Sequence, residues 1–354
     1  MLAIDYPTRR KLRDDFYSRA EARGYVPSTP PRNLDRYVDV AGHPPGGGPS
    51  VTLTAPADGE AAAPATIPGF SWSGADGATD YRLVFSGSEA YRKLRVLPAG
   101  KARLTGTSFT PSASQWRGLL ALAGQNGRHD LIWWVTARDG AGNLRSSRAR
   151  RLHTYHGDVA TTVFWIGEEA GADNGGIANR DSAWDECWME SYGGVDTPDA
   201  RQGYHPAAYT PGENPFYAAL PYNDLNRDGV RKAAAATLVP WAADDAVAED
   251  QSLLKNRWLE IVRDDKVCYG QWEDAGPFGE NDARYVFGSA KPHSRRNRRA
   301  GLDVSPALRD CLGLTGGITP TAWRFVEADA VPSGPWKQIV TTGGTRLVGE
   351  VCPQ

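Results

Sequence analysis

No apolar run in the 354-residue chain is long enough to cross a bilayer as a helix. The opening stretch, "MLAIDYPTRRKLRDDFYSRAEARGY", lacks the apolar core of a signal peptide, so either the protein is not exported by that route or its leader is absent from this sequence. Cysteine is scarce and one-sided: Cys187, Cys268, Cys311 and Cys352 all fall in the second half. None makes a Cys-x-x-Cys pair, so neither a zinc site nor a thiol-redox motif is predicted, and no metal or cofactor is expected. Two disulfides in any of three connectivities, or buried thiols, remain open, because the compartment decides between them. A net charge of −2 leaves no electrostatic footprint for nucleic acid over the whole molecule. What the chain does have is 39 glycines and 25 prolines, widely spread, which favour short strands and turns over long helices. Its length suggests two domains plus connections.

Residues 1–49 read as a charged helix at 8–23, weakly amphipathic through Leu12, Phe16 and Ala20, followed by a linker, "GHPPGGGPS", at 42–50. From 50 to 155 short alternating strands are spaced by turns: "FSWSG", "YRLVFS", "SFTPS" and "LIWWVTARDGAGNLRSSRARRLH". In "IWWVTARD", Trp133, Val135 and Ala137 share one face and Trp134, Thr136 and Arg138 the other, and "DGAGN" at 139–143 reads as a hairpin turn. With Trp72 early and Tyr81 opening a middle strand, these residues resemble a fibronectin type III module, which implies a β-sandwich and, by analogy, a spacer or binding role. Core packing is the expected role of Trp116, Trp133 and Trp134; stacking on sugar rings is the alternative.

The second half, 160–354, carries further strands in "TTVFWIGEEA", "ENPFYAALPYND", "RWLEIVRDDKVCYGQWED", "YVFG" and "AWRFVE", with an aromatic-rich turn or short helix at 182–194. "VSPALRDCLGL" reads as a helix: Ser305 before Pro306 is an N-cap, Gly313 a stop, and Leu308, Cys311 and Leu312 the apolar stripe. "DLNRDG" at 224–229 opens like a calcium loop. Position twelve is Ala235, where a bidentate Glu is needed, so a turn held by its own side chains is expected instead.

Between 257 and 327 the order of motifs resembles the double-psi β-barrel of rare lipoprotein A, expansins and membrane-bound lytic transglycosylase A. Those proteins carry an Asn-Asp-x-Gly-Pro-Phe corner, then Ile-Asp-Leu-Ser, a helix ending Leu-Gly, and a final strand. Here Glu273-Asp274-Ala275-Gly276-Pro277-Phe278 takes the corner and Leu302-Asp303-Val304-Ser305 the second motif. The fold class implied is mainly β: a fibronectin type III-like β-sandwich followed by a six-stranded double-psi β-barrel with short helices.

The resemblance makes Asp303 the functional carboxylate, with Asp274 as its partner at the next strand end. A carboxyl that protonates a glycosidic oxygen needs burial or a like charge to raise its pKa. Tyr217 stands where the relatives commonly carry a His, which weakens lytic chemistry in its usual form and leaves Asp224 as a substitute polar group. Trp272 and Arg299 complete the expected substrate contacts. The insert "AKPHSRRNRRAG" at 290–301 is either a solvated loop or a holder for an anionic polymer, and its charge is expected to lower the pKa of Asp303. The partner implied is a polysaccharide, of peptidoglycan or plant type, met outside the cytoplasm. The resemblance leaves open cleavage with Asp303 as general acid, expansin-like binding without cleavage, and an assembly role in which both carboxylates are turn residues. Oligomeric state is not legible in the sequence.

Overall fold

The computed structural model describes residues 51–347 except 65, 89–92, 125–126, 172–173, 175 and 244–246, together with Cys352. The helix expected at 8–23 and the linker at 42–50 lie outside the described residues. The chain divides between Thr154 and Tyr155 into two compact units.

The first unit is a two-sheet sandwich. Strands β1 (Leu53–Ala55), β3 (Phe70–Trp72) and β6 (Ser108–Phe109) form one sheet. The other runs β2 (Glu60–Ala61), β9 (Arg150–His153), β7 (Asp130–Asp139), β4 (Ala78–Ser86), β5 (Leu94–Leu97), with β8 (Leu144–Ser146) also on β7. Alternation along β7 sends Leu131, Trp133, Val135 and Ala137 into a core with Phe70, Trp72, Leu83 and Phe85. Trp134 packs on the opposite face with Val84 and Ile132. Both tryptophans of the pair are fully buried and Trp116 nearly so, which closes their faces to sugars. Asp139 accepts bonds from the backbone N–H groups of Ala141 and Asn143, holding the predicted hairpin turn.

Helix α1 (Ala113–Ala123) was not predicted. Ser112 and Gln115 form its capping box, and Trp116, Leu119, Leu122 and Ala123 make the buried face, so the signal was present in "PSASQWRGLLALA".

The second unit is a closed six-stranded barrel in the order β10 (His156–Val163), β16 (Leu302–Val304), β13 (Tyr217–Leu220), β15 (Lys266–Ala275), β14 (Arg257–Arg263), β17 (Thr319–Val326). β10 pairs parallel with β16, and β13 with β15; the remaining neighbours are antiparallel. A separate ribbon joins β11 (Arg201–Gln202) to β12 (His205–Pro206). Along β13, Ala218 and Leu220 point into the main core with Trp272, Leu302 and Trp323, whereas Tyr217 and Ala219 join an outer cluster with Phe164, Ile166, Trp188 and Tyr192. Trp188 and Tyr192 come from the short helix α2 (Trp188–Tyr192).

Two further turns of helix, α3 (Ala235–Leu238) and α4 (Ala283–Val286), lie in the long connections. α4 replaces the strand expected at "YVFG". Tyr285, Val286 and Phe287 are all buried, which a strand's alternation permits only if both its faces are covered. Helix α5 (Pro306–Leu312) has the predicted ends: Ser305 Oγ accepts from Leu308 N, and Gly313 is left-handed at φ 64°. "DLNRDG" is a self-stabilised turn, Asn226 Oδ1 accepting from the N–H groups of Asp228 and Val230. The cysteines form two disulfides, Cys187–Cys352 and Cys268–Cys311.

Candidate active site

Ala219 sits between two acids. Antiparallel β16 places Asp303 opposite it on one side, and parallel β15 places Asp274 opposite it on the other. β10 then sets Thr162 beside Asp303. Thr162, Asp303, Ala219 and Asp274 therefore form one row across four adjacent strands of the outer wall. Two ladder steps separate the acids, about 10 Å at Cα. The floor between them is low, because Ala219 has only a methyl group and the neighbouring Gly276 has none. A Cβ on Gly276 would lie 3.8 Å from that methyl and 3.9 Å from Asp303 Oδ2.

Both carboxyls are half-buried and both are pushed up to about 7. For Asp303 burial is the main cause, opposed by a hydrogen bond from the Thr162 hydroxyl and reinforced by the charge of Glu168. Asp274 is raised by burial against bonds from the N–H groups of Ala183 (2.7 Å) and Ala275; Glu280 and Asp303 add smaller upward pushes. The expected lowering of Asp303 by the basic insert is thus reversed: loss of water around the carboxyl outweighs any attraction to the arginines. Glu168, half-buried and itself raised by burial, accepts from Asn179 Nδ2 at 2.8 Å.

Three of the expected substrate contacts are corrected by their burial. Tyr217 is 1% exposed, and its hydroxyl donates to Asp196 (2.8 Å) while accepting from Ile166 N (3.0 Å). Trp272 is fully buried in the barrel core, where its Nε1 donates to the backbone carbonyl of Asp274. Asp224 is also fully buried and accepts from Ser252 Oγ and Leu253 N, holding a connection rather than a ligand. Arg299 is half-exposed and donates to Pro292 O. Glu273, the other acid of the corner, is sealed in a buried ion pair with Lys255 at 2.7 Å.

Thr162, Glu168 and the Ala183 N–H were not identified from the sequence. "TTVFWIGEEA" shows a hydroxyl and an acid six residues apart, but not that strand pairing delivers Thr162 to Asp303 or that the charge of Glu168 acts on it. Phe278, left-handed at φ 56° and half-buried, closes the corner with the Arg296 guanidinium 5.4 Å over its ring. A cavity of about 340 Å³ against Lys255, Arg257 and Trp258 lies apart from this row and includes neither acid.

No protein-family model and no curated protein matches the chain. Among solved structures it is similar to a Fn3-like protein from Clostridium thermocellum, at 15% identity over 29% of this chain and 86% of that one, TM-score 0.18. It is also similar to the fibronectin(III)-like modules of Clostridium thermocellum CbhA, at 11% identity, 33% of this chain, 57% of that one and TM-score 0.19. A polysaccharide deacetylase from Bacillus cereus shares 7% identity over 36% of this chain and 35% of that one, TM-score 0.21. The chain thus spans little more than half of the second and about a third of the third.

Proposed function

We propose that the barrel is of the double-psi kind and that its outer wall binds a β-linked polysaccharide across Asp303 and Asp274. The observation that carries this reading is the pair of half-buried aspartates, both carboxyls near pKa 7, flanking a floor of alanine and glycine. A carboxyl of that pKa holds its proton in an appreciable fraction at neutral pH and can give it to a glycosidic oxygen.

The partners divide the roles. A Thr hydroxyl donates to a carboxylate and accepts from a carboxylic acid, so Thr162 suits either protonation state of Asp303. Backbone N–H groups only donate, so Ala183 and Ala275 favour Asp274 as the anion. Asp303 is therefore assigned as general acid and Asp274 as base. In an inverting reaction Asp274 would activate a water on the far side of the sugar. The two disulfides fit an oxidising compartment outside the cytoplasm.

A second reading, expansin-like binding without cleavage, is favoured by Tyr217. The relatives' usual His is replaced there by a side chain sealed in the wall with its hydroxyl saturated.

Asp303→Asn decides between them. We expect reducing-end release from insoluble glycan to fall by ~10²–10⁴ while pull-down persists, since the amide keeps shape but cannot deliver a proton. Release unchanged in the variant would end the acid role. A wild type that binds and releases nothing would leave the binding reading, and one that binds neither peptidoglycan nor cellulose would end the glycan reading for both.

A further inference from the structure

We propose that the polymer is acidic, and that residues 291–299 grip its carboxylate or phosphate groups beside the aspartate row; this rests on the glycan reading above. Lys291, Arg295, Arg296, Arg298 and Arg299 occupy this one loop of a chain whose net charge is −2. Among the described residues no carboxylate lies within ion-pair distance of any of these five cations, although arginines elsewhere in the molecule do find acids, as Arg201 finds Asp196 and Arg324 finds Glu260.

The loop is also built, unlike a solvated connection. Asn297, Arg298 and Arg299 are consecutively left-handed, at φ 45°, 57° and 65°, a run that L-residues adopt only when held. The holding contacts are present: His293 N donates to Asp282, Arg299 Nη1 to Pro292 O, Ala300 N to Arg296 O, and Gly301 N to Ala160 O. Gly301 packs so closely that a Cβ there would stand 2.5 Å from the Tyr285 hydroxyl and 2.6 Å from Pro292. Both ends are thereby pinned while Lys291, Arg295, Arg296 and Arg298 stay exposed.

Position supplies the link to the acids. The loop runs straight into β16, with Asp303 four residues after Arg299. Its middle returns to the corner, where Arg296 covers Phe278, two residues beyond the glycine that faces Asp303 Oδ2. Exposed cations with no carboxylate partner among the described residues attract a polyanion over a Debye length and bond its oxygens on contact. A neutral glucan would leave them unused, and the carboxylate row alone would repel an acidic chain.

The test compares wild type with an Arg295→Gln, Arg296→Gln, Arg298→Gln triple variant and its Lys counterpart. Arg299 is left intact because it holds the loop. Probes are polygalacturonate, peptidoglycan with its phosphate polymers, the same peptidoglycan stripped of them, and cellulose. We expect wild type to bind at least one acidic probe, with affinity falling as salt rises. The Gln variant should bind that probe roughly 10- to 100-fold more weakly at low salt, with a flatter salt dependence, at unchanged thermal midpoint. The Lys variant should stay within a few-fold of wild type, and any cellulose binding should be the same in all three. Response to polygalacturonate assigns a carboxylate ligand; response lost on stripping assigns a phosphate. A Gln variant that binds the acidic probe like wild type overturns the proposal, as does binding to cellulose but to no acidic probe. Equal affinity for duplex DNA would also overturn it, marking a general polyanion surface. Failure on every polymer would remove the glycan reading itself.

Discussion

Asp303 and Asp274 carry a cost that can be measured without knowing the substrate. A carboxyl whose folded pKa is about 7 against an ordinary 3.8 is bound more readily by protons in the folded than in the unfolded state. Its favourable contribution is complete below about pH 4 and is lost as pH rises through about 7. The thermal midpoint of the barrel should therefore fall between pH 4 and pH 8. Asp303→Asn keeps an acceptor for Thr162 and removes the charge, so the variant should match wild type near pH 4 and exceed it at pH 8. Such a gain in stability beside a loss of function is the pattern of a group retained for its chemistry. A variant melting lower than wild type at pH 8 would mean that Asp303 is a structural anion.

At the scale of elements, α5 fixes the end of β16 and hence the position of Asp303. Its first turn depends on Ser305, which caps Leu308 N, and its body on Leu308, which presses on Gly270 of β15. A Cβ at Gly270 would meet Leu308 Cδ1 at 2.8 Å and the Phe216 carbonyl at 2.9 Å, and a backbone atom does not yield. We expect Ser305→Ala to cost about 0.5–2 kcal/mol and Gly270→Ala about 1–3 kcal/mol, read as shifts in the urea midpoint. The Cys268–Cys311 bond joins the same two elements, β15 and α5. A Gly270→Ala protein with an unchanged midpoint would show that neither Leu308 nor the Phe216 carbonyl is held firmly against β15.

For the whole molecule, both disulfides belong to the second unit, and residues 51–154 contain no cysteine. Closing a loop of 43 residues restricts the unfolded chain by about 4 kcal/mol, and the 165-residue separation of Cys187 and Cys352 restricts it further. If the two units melt independently, calorimetry should resolve two transitions. Reduction should then lower one by many degrees and leave the other in place. A single transition, or a shift of both on reduction, would show that the units unfold together. Limited proteolysis near 155–160 should fail in the native protein, because β10 begins at His156 and Thr154, Tyr155 and His156 are all buried.

Much of this architecture was legible because its causes lie within a few residues of one another. Alternation in "IWWVTARD" set the two faces of β7, Ser305-Pro306 and Gly313 bounded α5, and Gly276-Pro277 turned the chain after Asp274. Helix α1 is equally local, but its N-cap Ser112 is also the last residue of the strand-like "SFTPS". The carboxylate row is of another kind. Thr162 meets Asp303 across 141 positions, and Ala183 meets Asp274 across 91, so neither contact has a local cause. The same distance in sequence misplaced Tyr217, Trp272 and Asp224. Each has the chemistry of a ligand contact, but a side chain's exposure depends on what the rest of the chain packs against it. Residue type and spacing settle the turns, caps and faces; closure of the barrel settles which acids look outward, which are sealed within, and how strongly each holds its proton.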